Sequence, residues 1–166
     1  LYGTKDSDQI GLNGITLLSN GNYVVRSSTW DNGSTVDVGA VTWGNGSTGT
    51  VGVVSQANSL IGTTTSDQIG KTGVTALSNG NYLVRSVLWD NGSVTDAGAV
   101  TWGNGTTGIS GIVSVSNSLI GSTASDQIGV TGITELSNGN YVVRSSLWDN
   151  GSITDAGAVT WGNGTA

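Results

Sequence analysis

The chain has 166 residues, a formal net charge of -6 from 5 basic and 11 acidic side chains, 28 glycines, and no Cys, His, Pro, Met or Phe. That composition excludes a zinc site, a thiol nucleophile and a disulfide framework, and five basic residues leave no electrostatic footprint for nucleic acid. No apolar run of 18 residues exists to span a membrane, and residue 1 is Leu without a signal-peptide pattern, which suggests a processed or excised piece.

The chain reads as three copies, 1–59, 60–118 and 119–166. Trp30, Trp89 and Trp148 recur at one fixed spacing, as do Trp43, Trp102 and Trp161, and Asp8, Asp67 and Asp126. From Asp67 to Thr106 the second copy differs from the third at six of forty positions. A period of this length is the mark of solenoids, propellers and arrays. Large aromatics kept in register beside Val, Ile and Leu runs argue against a disordered Gly/Ser linker.

Numbered in the second copy, the predicted elements follow in order. Gly73 to Leu77 is a first strand. Asn79-Gly80 is a two-residue turn, because both residues tolerate positive φ. Asn81 to Trp89 is a second strand and Asn91-Gly92 a second turn. Ala97 to Trp102 is a third strand, closed by Gly103-Asn104-Gly105. Gly108 to Ser116, rich in Ile and Val, is predicted as a fourth, and Asn117 to Ile120 leads into the next copy. No stretch has a helical period. Tyr82 and Val84 face one way, Leu83 and Arg85 the other, so burial on both faces is expected. The third copy stops at the position of Thr107, and so lacks the predicted fourth strand.

The order of these motifs resembles the integrin-type FG-GAP β-propeller repeat of large bacterial surface proteins. The residues that carry the resemblance are Leu119-Ile120-Gly121, Asp126-Gln127-Ile128-Gly129, Tyr141-Val142-Val143, Asp149-Asn150-Gly151, and Asp155-Ala156-Gly157-Ala158-Val159-Thr160-Trp161. The resemblance implies propeller blades and a surface or adhesive role. Three features depart from the family. Ile stands for its Phe. Its Gly-Ala-Pro is replaced by Arg26-Ser27, Arg85-Ser86 and Arg144-Ser145. The place of its acidic calcium loop holds Ser19-Asn20-Gly21-Asn22 and its repeats, without a carboxylate. Calcium takes six to eight oxygens, usually with several carboxylates, so no metal and no cofactor is carried over.

Several residues have two readings. Arg26, Arg85 and Arg144 sit once per copy in an apolar strand; they are either anion ligands or, as preferred here, partners of Asp37, Asp96 and Asp155 in structural ion pairs. Trp30, Trp89 and Trp148, each followed by Asp and Asn (Asp31, Asn32; Asp90, Asn91; Asp149, Asn150), are either sugar-stacking sites or core plugs. Trp43, Trp102 and Trp161 share a strand face with Val41, Val100 and Val159 and read as core. Asn32, Asn45, Asn91, Asn104, Asn150 and Asn163 open Asn-Gly-Ser/Thr triplets, which match a glycosylation acceptor but read better as turns. No residue set distinguishes one copy as an acid–base site, so no catalytic residue is assigned and the chain is read as not an enzyme.

The expectation is therefore an all-β chain of three tandem four-stranded β-propeller blades, with a three-sheet β-prism as the alternative. The expected role is a structural or adhesive module of an extracellular or surface-displayed bacterial protein. Its partner would be a further copy of itself, as a homo-oligomer or by continuation of a longer repeat chain. The alternative is a lectin with one shallow carbohydrate site per repeat. Three blades leave open flanks, so self-assembly is expected, as a six-bladed ring or as a longer head-to-tail array.

Overall fold

The structure, a computed structural model, describes residues 1–165. The first repeat contributes β1 (Ile15–Leu17), β2 (Tyr23–Ser27) and β3 (Ala40–Gly44), and β4 (Ser59–Ile61) follows at the boundary with the second. The second contributes β5 (Gly73–Ala76), β6 (Tyr82–Ser86), β7 (Ala99–Gly103) and β8 (Gly111–Ile112), with β9 (Ser118–Ile120) at the next boundary. The third contributes β10 (Gly132–Glu135), β11 (Tyr141–Ser145) and β12 (Ala158–Gly162). No helix occurs among the described residues.

The strands form three sheets, ordered β1-β2-β3-β4-β8, β5-β6-β7-β9 and β10-β11-β12. Apart from the parallel β8 at the edge of the first, each is an antiparallel meander in one register: Tyr23, Tyr82 and Tyr141 stand opposite Gly44, Gly103 and Gly162. Opposite each Tyr only Gly fits, because a Cβ at Gly103 would lie 2.3 Å from the Tyr82 ring.

The first hairpin differs from the predicted two-residue turn. Leu77 N–H bonds Asn81 O at 2.8 Å, so Ser78-Asn79-Gly80 is a three-residue loop, and Gly80 takes φ 90. This is the type of loop in which a left-handed Gly follows a tight turn. The predicted second turn is present: Asn91 and Val94 exchange both backbone bonds around Gly92-Ser93.

The fourth strand is also not where the Ile/Val content placed it. Gly108 to Ser116 does not form it. In the first two sheets the fourth strand is Ser-Leu-Ile at the repeat boundary: Val41 stands opposite Leu60, and Val100 opposite Leu119. Within 108–116, Gly108 and Gly111 adopt φ 76 and 100. The Asn117 side chain accepts from Ser114 N–H and donates to Ile112 O, which folds the chain back. What remains of the predicted strand is β8, which pairs parallel with β4 and so adds a piece of the second repeat to the sheet of the first. Tyr2 and Val53 form the same parallel bridge. Sheets are thus offset from the repeat boundaries, and each repeat is tied into its predecessor.

Burial on both faces holds. Tyr82, Leu83 and Val84 are all fully buried. The cores lie between neighbouring sheets: Val24, Val41 and Leu60 pack with Ile69, Tyr82 and Val84, and Leu83 and Val100 pack with Ile128 and Val143. Val24 of β2 and Val84 of β6, on the middle strands of two successive repeats, therefore share one cluster.

Candidate functional site: the junction between repeats

The Asp of each Asp-Gln-Ile-Gly segment is buried, with Asp8, Asp67 and Asp126 at most 3% exposed. Asp67 Oδ2 accepts the N–H groups of Thr63 and Thr64 at 2.8 Å, and Oδ1 accepts Asp90 N–H at 3.0 Å. Asp90 Oδ1 in turn accepts Asp96 N–H at 2.8 Å. The same relay joins Asp8 to Asp31 and Asp37, and Asp126 to Asp149 and Asp155. Burial pushes the Asp67 carboxyl above its ordinary value although the three N–H groups pull it down. The sequence reading used these Asp residues to mark the period and, at Asp126, to carry the family resemblance, and gave them no structural role. The signal that would have found their role is an Asp three and four residues after two small polar residues, the spacing of a side chain that closes a backbone turn.

The relay shapes a segment that grips the preceding repeat. The N–H groups of Ser66, Gln68 and Ile69 donate to the carbonyls of Val36, Asp37 and Val38. Ser125, Gln127 and Ile128 donate likewise to Thr95, Asp96 and Ala97. Ser66 and Gln68 take left-handed φ of 68 and 47 to do so, and Ser125 and Gln127 take 66 and 45.

The predicted ion pairs are replaced by carbonyl contacts. Arg85 Nη1 donates to Gly129 O at 3.4 Å and Nη2 to Thr72 O at 3.0 Å. Arg26 donates to Gly70 O and Arg144 to Thr131 O. Asp37, Asp96 and Asp155 sit at φ of 50 to 52 in the turn, and the carbonyls of Asp37 and Asp96 accept from the next repeat. A left-handed turn directs those Asp residues to the backbone relay, so Arg26 and Arg85 bridge two repeats instead, while Arg144 bonds a carbonyl of its own repeat. Burial lowers the affinity of Arg26 and Arg85 for their protons, and the Arg26 charge adds to the effect on Arg85.

Trp30 and Trp89 are 4% exposed and belong to core clusters; Trp148 packs against the third cluster. Trp89 Nε1 is buried without an acceptor, so the ring serves as bulk. With Asp31, Asp90 and Asp149 held in the relay and Asn32, Asn91 and Asn150 in backbone turns, Trp30 and Trp89 offer no open ring face to a sugar.

Trp43, expected as core, is half-buried and has a polar task. Its Nε1–H donates to Gly105 O of the next repeat at 3.0 Å. Asn20 Nδ2 and Asn22 Nδ2 donate to the same oxygen at 2.8 and 2.9 Å. Trp102, Asn79 and Asn81 converge identically on Gly164 O. The Asn residues that replace an acidic calcium loop therefore clamp a carbonyl. Asn45 and Asn104 bond the N–H groups two and three residues ahead, as turn residues do.

A recurring junction of this kind is what a repeat family would keep. The sequence profile of a family described as "Repeat of unknown function (DUF5650)" matches residues 17–71, 76–130 and 135–166. The chain belongs to the DUF5650 repeat family. The three matches support three tandem repeats. No curated protein matches the chain. In this DUF5650 chain the first two matches run across a junction: residues 17–71 hold the Asn clamp of the first repeat and the Asp67 segment of the second.

Proposed function

We propose that this DUF5650 chain is a non-enzymatic structural and adhesive repeat module of a secreted or surface-displayed bacterial protein. The observation that carries this reading is the use made of its recurring polar side chains. Asp67, Arg85, Asn79, Asn81 and Trp102 all act on backbone groups that shape a repeat or join it to the next. Side chains so committed serve assembly rather than turnover. The antiparallel meander of β5-β6-β7-β9 favours the finer reading of each sheet as a β-propeller blade, as in FG-GAP repeats. The Asn clamp in place of the acidic loop favours a metal-free version.

A carbohydrate-binding role is the second reading, and one observation favours it at a new place. A groove beside Trp43 is lined by Thr50, Asn58, Thr107 and Ser110, an aromatic ring among hydroxyl and amide groups. Titration of the chain with a panel of soluble glycans tests the two. The structural reading expects no saturable binding. Saturable binding at this groove, lost in Trp43→Ala, would replace it by the lectin reading.

A further inference from the structure

We propose that each repeat carries one self-modifying site, the Asn-Gly pair at its second turn, where the side-chain amide of Asn32, Asn91 or Asn150 is converted to a carboxylate with loss of ammonia. The inference goes beyond the structural reading and does not depend on it. The chemistry needs only the chain and water. The backbone nitrogen of the Gly attacks the Asn Cγ and gives up its proton, a C–N bond closes a succinimide ring, and Nδ2 leaves as ammonia. Water then adds to either ring carbonyl and opens the ring to an aspartyl or an isoaspartyl residue. Gly is the favourable neighbour because it has no side chain to crowd the approach. Two groups must be free for the attack: the Gly N–H and the Asn side chain.

The chain has ten Asn-Gly pairs, and the fold divides them. In seven the Gly N–H is held. Those of Gly14, Gly21, Gly80 and Gly139 donate to the carbonyls of Gly11, Leu18, Leu77 and Leu136. Those of Gly46, Gly105 and Gly164 donate to the side chains of Asn22, Asn81 and Asn140. The Asn side chain of each of these seven pairs is held as well. In Asn20 and Asn79 it clamps a carbonyl of the next repeat. In Asn13, Asn45, Asn104, Asn138 and Asn163 its oxygen accepts a backbone N–H.

The other three pairs are Asn32-Gly33, Asn91-Gly92 and Asn150-Gly151. In these, neither the Gly N–H nor the Asn side chain has a hydrogen-bond partner among the described residues. The cause is the turn itself. Asn91 and Val94 exchange both backbone bonds around Gly92-Ser93, which satisfies the main chain of Asn91 and leaves the Gly92 N–H outside the ladder. Gly33, Gly92 and Gly151 are exposed and hold φ of 62 to 63. Asn32 and Asn150 are exposed and Asn91 is half-buried. The arrangement is the same in all three repeats, including the second, which has a neighbour on either side.

The division follows the use made of each amide. Conversion of Asn20 would replace the Nδ2 donor by a carboxylate facing the carbonyl of Gly105, and the clamp between repeats would be lost. The Asn91 amide supports nothing, so its conversion breaks no bond. The fold thus shelters the amides on which its junctions rest and leaves one reactive pair per repeat at a surface turn. Conversion of all three adds three negative charges to a chain whose net charge is already -6.

Incubation of the folded chain at mildly alkaline pH, followed by digestion at acid pH and peptide mass spectrometry, tests this, with the chain in urea as the reference. In urea all the pairs should react at similar rates. In the folded chain Asn32, Asn91 and Asn150 should lose ammonia about tenfold or more faster than Asn20, Asn45, Asn79 and Asn104, because the latter must first break the bonds that hold them. Asn91→Gln, at a side chain that bonds nothing, should abolish the loss at that position and leave Asn32 and Asn150 unchanged. Similar rates at held and free pairs in the folded chain overturn the proposal. So does faster loss at the clamp residues, or no loss at the three turns in the time that converts the chain in urea.

Discussion

Asp67 is the side chain on which the shape of the gripping segment depends. Removing its carboxylate leaves the N–H groups of Thr63, Thr64 and Asp90 without their acceptor. Asp67→Ala is expected to cost about 3 kcal/mol or more, since each buried unsatisfied donor costs about 1–3 kcal/mol; urea unfolding measures it. The Asp67 pKa is raised in the folded chain, so its linked stabilisation is full below the unfolded pKa and is lost as pH rises through the folded one. Moderate acidification should therefore stabilise the chain relative to Asp67→Asn, which melting temperatures of the two proteins compared across the acid range will show. Tyr82 gives the alkaline counterpart. Its ring is fully buried and its hydroxyl accepts Ile109 N–H, and burial pushes its pKa up to about 12. Against an unfolded value of about 10, roughly 2–3 kcal/mol of stability present below that pH is lost as pH rises through the folded value. Tyr82→Phe should flatten that alkaline loss. Arg85 and Asp96 contact different backbone groups, so the costs of Arg85→Leu and Asp96→Asn should add to within about 0.5 kcal/mol in a double-mutant cycle. Strong coupling would restore the ion pair.

Among the elements, the short boundary strand matters more than the longer Ile/Val segment. Leu60 in β4 is fully buried, whereas Val115 is 75% exposed. Leu60→Ala is expected to cost about 2–5 kcal/mol, and Val115→Ala less than about 0.5 kcal/mol; thermal unfolding separates them. The contrast explains what could be read from the sequence. The first three strands of each repeat were legible, because Tyr-Val-Val and Ala-Val-Thr-Trp runs between Asn-Gly turns have strand chemistry, although the second ends at Ser86 in a turn closed by Trp89 N–H on Ser86 O and does not run on to Trp89. The fourth was not, because three residues at a boundary carry less pattern than nine rich in Ile and Val. What decides the matter is a pair of left-handed glycines and the Asn117 side chain. The same limit hid the junction. A buried Arg suggests a carboxylate partner, but its partners are carbonyls, and a carbonyl has no sequence signature. For Trp30 and Trp89 the sequence left sugar stacking and core plug both open, and it is their burial at 4% exposure that places them in the core, while the indole donor of Trp43 needed the neighbouring repeat to be seen.

For the whole molecule, the junctions carry the fold. The first-to-second and second-to-third interfaces repeat the same bonds, from the Asn clamp to the Ile69 and Ile128 segments. Stability should then follow a nearest-neighbour sum, in which a single repeat lacks the interfaces that make it fold. The core clusters point the same way, since Ile69 and Ile128 are buried among residues of two repeats. The most direct test is urea denaturation of the isolated segment 62–121, which holds β5, β6, β7 and β9, followed by circular dichroism beside the full chain. The account predicts a cooperative transition for the full chain and none for the segment. A sharp transition in the segment, at comparable urea, would contradict it, because the sheet would then be stable without its neighbours.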